Sequence, residues 1–369
     1  MKTFKQLYHQ IYDFANLLQA FRNARKGKKN KRNVAAFEWQ LENNILQLQQ
    51  ELKDKTYQPG AYRTFKIYDP KERMISAAPF RDRVVHHALC QVVMPIFERS
   101  FIHDSYANRK GKGTHAAIRR CQGFLRKNQY VLKADIQKYF PSIDHALLKA
   151  AIHRKIACKD TLWLIDSIID NSNAQEERNI YFPGDDMFTP FERRRGLPLG
   201  NLTSQYFANI YLNGFDHFIK DELGCKYYIR YVDDFVIFHA DKNVLWQIKT
   251  KVERYLQQLR LKLHPDKCYV APVEEGVTFL GQRIFATHRL LRKENVRRFR
   301  KRQRMNFKKY RKNERTVIQM ESGWNAWLGH AAQADTYRLR NRLFNEIARQ
   351  GLNVAKTDRF AWRLLEQQQ

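Results

Sequence analysis

The segment YYIRYVDDFVIF, residues 227–238, places two adjacent aspartates, Asp233 and Asp234, between two short apolar and aromatic runs. Runs of this length and composition favour strands, so the segment predicts a tight β-hairpin with both acids at its turn. Neighbouring carboxylates repel each other and lose hydration in such surroundings, which makes the pair unfavourable by itself. Divalent cations bound between the acids would offset that repulsion. The hairpin therefore predicts a metal-binding turn on a hydrophobic platform.

A third acid, Asp135, stands at the end of an apolar strand predicted for YVLKADI, residues 130–136. Phosphoryl transfer with two metal ions about 4 Å apart needs carboxylates to hold them, and Mg²⁺ prefers carboxylate, water and phosphate oxygens. An isolated aspartate at a strand end is more often a helix N-cap or a surface residue. Together with Asp233 and Asp234, Asp135 would complete a two-metal site. Phe140 follows closely enough to pack beneath a ligand at Asp135.

The charge balance of the chain points to a polyanionic partner. Of 369 residues, 67 are Lys or Arg and 37 are Asp or Glu, which gives a formal net charge of +30. An excess of this size is typical of proteins that bind nucleic acid. Basic residues concentrate in RKGKKNKR (25–32) and in residues 292–312, where twelve Lys or Arg accompany one acid. A solvated surface is the alternative interpretation of each segment.

A membrane surface is the rival partner, but we find neither a signal peptide nor an apolar run of about 18–20 residues. The cysteines are scattered singly and include no CxxC pair: Cys90, Cys121, Cys158, Cys225 and Cys268. Neither a disulfide framework nor a structural zinc site is therefore expected, and a reducing, cytoplasmic location follows. The length and the hydrophobic content of 43% predict two or three packed sub-domains.

Hydrophobic periodicity predicts that residues 1–60 are helical. One helix is expected to carry apolar residues at spacings of three and four, namely Phe37, Leu41, Ile45, Leu48 and Leu52. Further along, the chain is predicted to contain a helix after Pro79, a flexible cationic loop at 106–115 and a helix capped by Ser142 or Asp144. A loop or hairpin is expected at 171–195, followed by a helix from Asn201 or Thr203. An amphipathic helix at 243–260 and a strand pair at 277–285 come next, and only helices are expected thereafter.

Five segments resemble, in order, motifs A to E of the reverse transcriptases. They are KADIQKYFPSID (133–144), GLPLGNLTSQYFANIYL (196–212), YVDD (231–234), LKLHPDKC (261–268) and FLGQRI (279–284). The upstream segment at 81–118 also resembles the fingers region of bacterial, group II intron-like members. The resemblance covers roughly residues 60–285 and implies an α+β, right-hand polymerase fold. Its expected parts are an N-terminal helical basic extension (1–60), fingers (61–129), a palm with an antiparallel sheet and helices (130–285, with the insertion 171–195) and a helical basic thumb (286–369).

A second acidic pair, Asp185 and Asp186 in PGDDMF (183–188), is also polymerase-like in sequence. It lies between two prolines in a polar stretch, and it precedes motif B. We therefore interpret both residues as solvated loop acids rather than as the motif C pair.

The residue before the motif B glycine resembles a particular lineage. Most such enzymes have Gln at this position, whereas this chain has Leu199 followed by Gly200. The pattern and the compact length resemble the reverse transcriptases of diversity-generating retroelements. That resemblance implies copying of a template-repeat RNA with errors opposite adenine, and a small basic accessory variability protein, as an oligomer, for a partner.

Position by position, the family resemblance implies roles for single residues. Two Mg²⁺ ions, with Mn²⁺ as a substitute, would be held by Asp135, Asp233, Asp234 and the carbonyl of Ile136. Lys267 of motif D would be a catalytic general acid for pyrophosphate, a surface turn lysine being the alternative. The residues expected at the incoming dNTP are Arg73, Lys66, Lys71, Phe140, Leu199, Gly200 and Gln205, with Phe140 as the steric gate against ribonucleotides.

The template–primer duplex, an RNA template with a DNA or RNA primer, would contact a largely basic set of residues. This set comprises Arg109, Lys110, Lys112, Ser204, Arg297, Arg298, Arg300 and Arg304. Three alternatives remain open. They are a reverse transcriptase of another bacterial lineage (group II intron-derived, retron or phage-defence), an RNA-dependent RNA polymerase, which Phe140 and YVDD disfavour, and a non-catalytic RNA-binding protein, which does not account for three ordered aspartates.

Overall fold

A computed structural model of the chain describes residues 3–68, 72–172 and 180–349, together with the backbone of two strands nearer the C-terminus. The α-helices are α1 (Tyr8–Tyr12), α2 (Phe14–Arg25), α3 (Arg32–Trp39), α4 (Leu41–Lys53), α5 (Phe80–Glu98), α6 (Thr114–Leu125), α7 (Tyr139–Ser142), α8 (His145–His153), α9 (Lys159–Asp170), α10 (Thr189–Glu192), α11 (Leu202–Tyr211), α12 (Asn213–His217), α13 (Lys242–Gln258), α14 (Lys293–Arg311), α15 (Val317–Ala331) and α16 (Tyr337–Ala348).

The strands form small sheets. They are β1 (Arg63–Ile67), β2 (Arg73–Ala77), β3 (Tyr130–Asp135), β4 (Tyr228–Tyr231), β5 (Asp234–His239), β6 (Tyr269–Pro272), β7 (Val277–Phe279), β8 (Gln282–Ile284), β9 (Arg289–Leu291), β10 (Asn353–Lys356) and β11 (Trp362–Leu365). The strand order is β4-β5-β3-β6 in the four-stranded sheet and β7-β8-β9 in the three-stranded one, and β1-β2 and β10-β11 are hairpins. A π-helical turn (Phe218–Glu222) follows α12, and short 3₁₀ turns are formed by Pro265–Lys267 and Val273–Glu275.

The chain divides into two compact units. Unit 1 comprises Met1–Gly113, Lys133–Ile237 and Trp246–Tyr269, and unit 2 comprises Thr114–Leu132, Phe238–Leu245 and Val270–Gln369. The predicted boundaries of extension, fingers, palm and thumb remain predictions.

In unit 1, an N-terminal group of helices packs around the long helix α5. Helix α2 begins at its N-cap Asp13, whose carboxylate accepts a hydrogen bond from the backbone N–H of Asn16. Its buried residues Leu17 and Phe21 recur at helical spacing, which explains why one face of α2 lies against α5. The amide of Asn16 donates to the carbonyl of Ala88 in α5 over 3.2 Å. Helices α1 and α3 also pack against α5.

The continuous helix predicted across residues 37–52 is wrong. The backbone breaks at Gln40 (φ −118°, ψ 45°), so Phe37 ends up in α3 whereas Ile45, Leu48 and Leu52 line the buried face of α4. The apolar spacing continues through the break because both helices face the same core. Periodicity alone therefore reports the buried face but not the interruption.

The acid-bearing hairpin predicted at 227–238 is present in unit 1. Strands β4 and β5 pair antiparallel, and Tyr231 opposite Asp234 forms their last pair before the turn. The interior positions Tyr228, Ile229, Phe235 and Val236 are fully buried, which explains the apolar and aromatic composition of both strands. This buried platform places the turn at one end of the sheet.

Unit 2 has its own core between α14, α15 and α16. Trp324 and Trp327, predicted to be core residues rather than base-stacking platforms, are 1% and 6% exposed. The ring of Phe299 stacks on Trp327 with centroids 3.9 Å apart. Two predictions for this region need correction. A third strand, β9, joins the predicted pair, and the C-terminal part is not all helical because it includes the β10–β11 hairpin. Strands as short as β9, β10 and β11 show no clear hydrophobic periodicity in the sequence.

Other predictions from the sequence have mixed outcomes. All five cysteines are free thiols, as predicted. The start of α11 at Leu202 after Asn201 and the N-cap role of Asp144 in α8 are also confirmed. The expected loop at 171–195 includes the short helix α10, while residues 173–179 of it lie outside the described residues. Among the described helices, none has both the length and the apolar character needed to cross a bilayer.

Candidate active site

Two neighbouring strands bring the three predicted acids to the same end of the sheet in unit 1. Asp135 ends β3, and β5, which begins at Asp234, lies beside β3. The backbone N–H of Ile136 donates to the carbonyl of Asp233 over 3.0 Å, which ties the turn directly to the end of β3. Val232 adopts a left-handed conformation (φ 59°) to close the tight turn. The acids are therefore held by main-chain geometry.

Two lysines contact these acids. The Nζ atom of Lys267 lies 2.8 Å from the Oδ1 atom of Asp135, and the ammonium of Lys133 donates to the carboxylate of Asp234. Lys267 is about half exposed, whereas the Lys133 side chain is only 8% exposed. Lys133 was missed by the sequence analysis. The available signal was its position two residues before Asp135, because alternate residues of a strand share a face.

The electrostatics of the acids reflect their crowding. Burial and, to a smaller extent, the negative charge of Asp135 together raise the pKa of Asp233 to about 6. Burial also raises the pKa of Asp234 to about 6, although the ammonium of Lys133 opposes the shift. Both carboxylates are thus less stable as anions than an exposed aspartate is. A cation of higher charge would relieve that cost.

The donor set fits magnesium in its chemistry. Within residues 3–68, 72–172 and 180–349, no three His, Cys, Asp or Glu side chains are arranged as a ready metal-binding group, and Asp135 and Asp234 bind lysines instead. However, all three acids offer hard carboxylate oxygens, and Asp233 and Asp234 have raised pKa values. These properties match what a hard divalent cation stabilises. Lys133 and Lys267 would have to release their acids for a metal to bind them.

A buried ion pair is hydrogen-bonded to the backbone of the turn. The guanidinium of Arg230 in β4 donates to both carboxylate oxygens of Asp216 over 2.7 and 2.5 Å, and both side chains are 0% exposed. The same guanidinium donates to the carbonyl of Val232 over 3.0 Å and to Asn209 Oδ1 over 3.2 Å. Tyr228 adds a hydroxyl bond to Asp216 of 2.7 Å. The strained residue of the turn is thereby anchored to α11 and α12.

The start of motif B is hydrogen-bonded through its backbone to Phe140 in α7 and to strand β2. The N–H of Leu197 donates to the carbonyl of Phe140 over 2.9 Å, and the N–H of Ser76 donates to the carbonyl of Leu199 over 3.1 Å. Gly200 has φ +112°, and a Cβ there would lie 3.2 Å from the side chain of Ile75. Glycine is therefore favoured by both conformation and space. The partly buried side chains of Phe140 and Leu199 follow from these backbone bonds.

Two of the predicted triphosphate cations, Lys66 and Arg73, lie on strands β1 and β2. Arg73 is exposed and pairs through its backbone with Ile67. The Nζ atom of Lys66 forms a 2.7 Å ion pair with Glu72. Lys71 lies outside the described residues. Arg73 therefore faces solvent, while Lys66 would first have to leave Glu72 to grip a phosphate.

Arg109 and Lys112, both predicted template contacts, already have partners within the chain. The guanidinium of Arg109 is 7% exposed and binds Glu98 over 2.7 Å and the carbonyls of Ile102 and Ser105. Lys112 donates to the carbonyl of His103 over 2.8 Å. Both residues therefore order the loop at 106–115, which was predicted to be flexible.

Other predicted template contacts differ in exposure. Ser204 is 3% exposed on α11 and is not accessible to a duplex, whereas Lys110 is exposed. Gln205, which was predicted to lie at the incoming dNTP, is partly buried on the same helix. Along α14 in unit 2, Arg300 donates to Glu346 over 2.7 Å. The remaining predicted residues of that helix are exposed: Arg297, Arg298 and Arg304.

The second acidic pair forms local turn contacts. Asp186 is exposed and accepts from the N–H of Phe188 and Thr189 over 3.0 and 2.7 Å. The prediction that Asp185 is a solvated loop acid is wrong, because its carboxylate accepts from Arg193 and both side chains are 5% exposed. These contacts account for the conformation of the loop around α10.

Comparison with known families identifies the class of protein. The model of the reverse transcriptase (RNA-dependent DNA polymerase) family matches residues 66–284, more than half of the chain and including all three acids. The chain therefore belongs to the reverse transcriptase family. Its fold is the α+β, right-hand polymerase fold, as predicted.

Individual relatives share low sequence identity with this chain. Protein YkfC of Escherichia coli (strain K12) is 27% identical over 290 residues, 67% of this chain and 71% of YkfC. The group II intron-encoded protein LtrA of Lactococcus lactis subsp. cremoris is 25% identical over 181 residues, 48% of this chain and 28% of LtrA. Among solved structures, a truncated apo telomerase from Candida tropicalis is similar with a TM-score of 0.47 and 16% identity, over 63% of this chain and 55% of that one.

Proposed function

We propose that this chain copies an RNA template into DNA and that it is the error-prone reverse transcriptase of a diversity-generating retroelement. The observation that carries the polymerase activity is the set of Asp135, Asp233 and Asp234 at one end of the sheet, joined by the Ile136–Asp233 backbone bond. The retroelement subtype is supported by Leu199 in front of Gly200. Substrates of the reaction are dNTPs, a primer and an RNA template.

In this proposal Asp135, Asp233, Asp234 and the carbonyl of Ile136 hold two Mg²⁺ ions. When bound, the metal ions would activate the primer 3′-oxygen and stabilise the leaving pyrophosphate. The main-chain bonds of the turn keep the carboxylates in place, so little reorganisation is needed at the moment of reaction. Lys267, already beside Asp135, would supply a proton to pyrophosphate. Lys133 would serve as the counter-ion of Asp234 before metal binding.

The partly buried ring of Phe140 acts as the steric gate of the proposed enzyme. Its carbonyl accepts from the N–H of Leu197, which holds the backbone of Phe140 against the motif B loop. A flat ring beneath the sugar leaves no space for a 2′-hydroxyl group. Selection of dNTPs over ribonucleotides would therefore depend on ring size.

Replacing Phe140 by Ala is expected to admit ribonucleotides. Discrimination, measured as the ratio of kcat/KM for a dNTP and its matching rNTP, should fall by about 10–100-fold, because a shape-based pocket discriminates by amounts of that order. Phe188→Ala is the matched control, since Phe188 is 65% exposed. Unchanged discrimination between dNTPs and rNTPs in Phe140→Ala would contradict the proposed role of Phe140 as the steric gate.

The side chain of Leu199 is proposed to lower fidelity. A glutamine at this position can hydrogen-bond near the nascent base pair, whereas a leucine cannot. One such polar interaction is worth about 1–1.5 kcal/mol, or roughly a tenfold change in discrimination. The backbone carbonyl of Leu199 binds Ser76 in either case, so a substitution changes the side chain without releasing the loop.

Leu199→Gln is expected to reduce misincorporation opposite template adenine by about tenfold. The measurement is deep sequencing of cDNA made on a defined RNA template. Leu46→Gln is the control, because Leu46 is an exposed leucine of α4. An unchanged error spectrum in Leu199→Gln would contradict the proposed role of Leu199 in lowering fidelity.

The accessory protein belongs to the same proposal and rests on the resemblance to diversity-generating retroelements alone. A small basic oligomer would help a strongly basic polymerase to organise its RNA. The second candidate function is that of an intron-derived reverse transcriptase, which the similarity to LtrA favours. Faithful cDNA synthesis without adenine-directed errors would support this second candidate.

A further inference from the structure

A cavity in unit 1 is lined by the start of α8 and by residues in and just after α10. Its volume is about 360 Å³, within the range of roughly 300–1,000 Å³ that is typical of small-molecule sites. Its described lining includes none of the residues predicted to bind metal, dNTP or the template–primer duplex. The cavity is therefore a separate feature from the candidate active site.

Two main-chain hydrogen bonds join the walls of the cavity. The N–H of His145 donates to the carbonyl of Arg194 over 3.0 Å, and the N–H of Gly196 donates to the carbonyl of Ile143 over 2.8 Å. The second wall continues directly into motif B. A ligand in the cavity would therefore also contact the segment that leads into the motif B loop.

Most of the charged side chains at the cavity already have partners. Arg260 donates to the carboxylate of Asp144. Lys149 donates to the carboxylate of Asp170 over 2.7 Å, and Arg194 donates to the backbone carbonyl of Asp170. Because these opposite charges neutralise one another, the cavity offers little attraction to a simple ion. Neutral hydrogen-bonding groups would decide what binds there.

Two deeply buried side chains at the cavity each keep an unused hydrogen-bonding atom. The Nδ1 atom of His145 and the Nε atom of Arg193 have no hydrogen-bond partner among the described residues, although His145 is 3% exposed and the Arg193 side chain 5%. The Oδ2 atom of Asp144 lies 3.6 Å from Arg193 Nε, too far for a hydrogen bond. Buried polar atoms are usually paired, so both atoms indicate a missing partner.

The chemistry of these atoms defines what the partner must offer. The Nε2 atom of His145 lies 2.8 Å from the carbonyl oxygen of Gly196, so Nε2 carries the proton and Nδ1 is an acceptor. Burial lowers the pKa of His145, which favours this neutral form. Arg193 Nε is a donor. Glu192 also lines the cavity and is exposed, so its carboxylate supplies a second acceptor. A matching ligand has two donors beside one acceptor.

Guanine has this arrangement. Its N1–H and 2-amino donors adjoin the acceptor O6, whereas uracil has one donor and two acceptors. A primary amide has the same pattern but is too small to fill the cavity. The guanidinium plane of Arg194 is a further surface of the kind on which bases stack. We propose that this cavity binds a guanine base, either of a free nucleoside or nucleotide or of an unpaired RNA nucleotide.

Equilibrium dialysis of the full chain against radiolabelled guanosine tests the proposal. Guanosine has no phosphate, so phosphate contacts elsewhere on this basic chain do not contribute to its binding. Saturable binding is expected, with a Kd at least about tenfold lower than that of uridine. The experiment does not use cDNA synthesis, so failure of the polymerase proposal would leave its result unchanged.

Two variants link the binding to this cavity. Ala146 is an exposed residue of α8 that lines the cavity, so Ala146→Phe should obstruct it and raise the Kd for guanosine at least about tenfold. Ala36→Phe, at an exposed helical alanine of α3, is the matched control and should change the Kd less than about twofold. Glu192→Gln should weaken guanosine about tenfold but inosine, which lacks the 2-amino group, much less.

Two short RNAs, UUGUU and UUUUU, distinguish the sources of the base. Tighter binding of UUGUU, with the difference lost in Ala146→Phe, would assign the cavity to an unpaired RNA guanine. Equal affinities of the two RNAs, with guanosine still bound, would assign it to a free nucleoside or nucleotide. Equal affinities without saturable guanosine binding would overturn the proposal. Guanosine binding that Ala146→Phe leaves unchanged would also overturn it, because the base would then bind elsewhere.

Discussion

Replacing Asp233 by Asn should reduce cDNA synthesis at least about a thousandfold, since metal-dependent phosphoryl transfer loses one of its carboxylate ligands. The backbone carbonyl of Asp233 would still accept from Ile136, so the turn should keep its conformation. Because burial and the charge of Asp135 raise the pKa of Asp233, a neutral amide should leave the thermal midpoint unchanged or slightly raised. The measurements are primer extension on RNA and thermal denaturation of the same preparation.

The second acidic pair supplies the control for this substitution. Asp186→Asn also changes one member of an adjacent aspartate pair, but Asp186 is an exposed turn residue that accepts from the N–H groups of Phe188 and Thr189. Activity should stay within about twofold of wild type, and the thermal midpoint should change little because Asp186 is exposed. If Asp186→Asn abolished synthesis while Asp233→Asn did not, the assignment of the two pairs would be reversed.

Replacing Arg230 by Met should lower the free energy of unfolding by about 3–5 kcal/mol, because it leaves the carboxylate of Asp216 buried without its counter-charge. The change also removes the hydrogen bond to the carbonyl of Val232, so the acid-bearing turn should lose its anchor. Activity per folded molecule, measured well below the thermal midpoint, should fall as well. Chemical denaturation and primer extension would report the two effects separately.

Two further variants, each with a smaller expected loss of stability, serve as comparisons for Arg230→Met. Tyr228→Phe removes only the hydroxyl bond to Asp216 and should cost about 1–2 kcal/mol. Lys149→Met breaks the more exposed pair with Asp170 and should cost about 1 kcal/mol or less. A destabilisation by Arg230→Met no larger than that by Lys149→Met would contradict the role of the buried pair. Full activity per folded molecule would contradict its link to the turn.

Local sequence pattern was sufficient to predict the acid-bearing hairpin. Apolar and aromatic runs on both sides of Asp233 and Asp234 define two strands, and a polar residue at the end of an apolar strand identifies Asp135. These predictions succeed because strand period and turn position are set over a few residues. The break at Gln40 was not predictable in this way, since the apolar spacing of α3 and α4 runs through it.

Side-chain partners were less predictable because they depend on the order of strands in the sheet. The period of β3 puts Lys133 on the face of Asp135, but only the position of β5 beside β3 brings Asp234 within its reach. Arg230 was not singled out from the sequence, and its partner Asp216 comes from α12, a separate element of the fold. Arg109 shows the opposite error: its charge suggested a nucleic acid contact, whereas Glu98 and two carbonyls bind it internally.

RNA-directed DNA synthesis is tested by extension of a DNA primer on a defined RNA template with the purified chain. The expected product is a Mg²⁺-dependent cDNA that requires dNTPs, is not formed from ribonucleotides and disappears on chelation, with errors concentrated opposite template adenine. Synthesis from ribonucleotides, or synthesis that Asp233→Asn leaves intact, would contradict it.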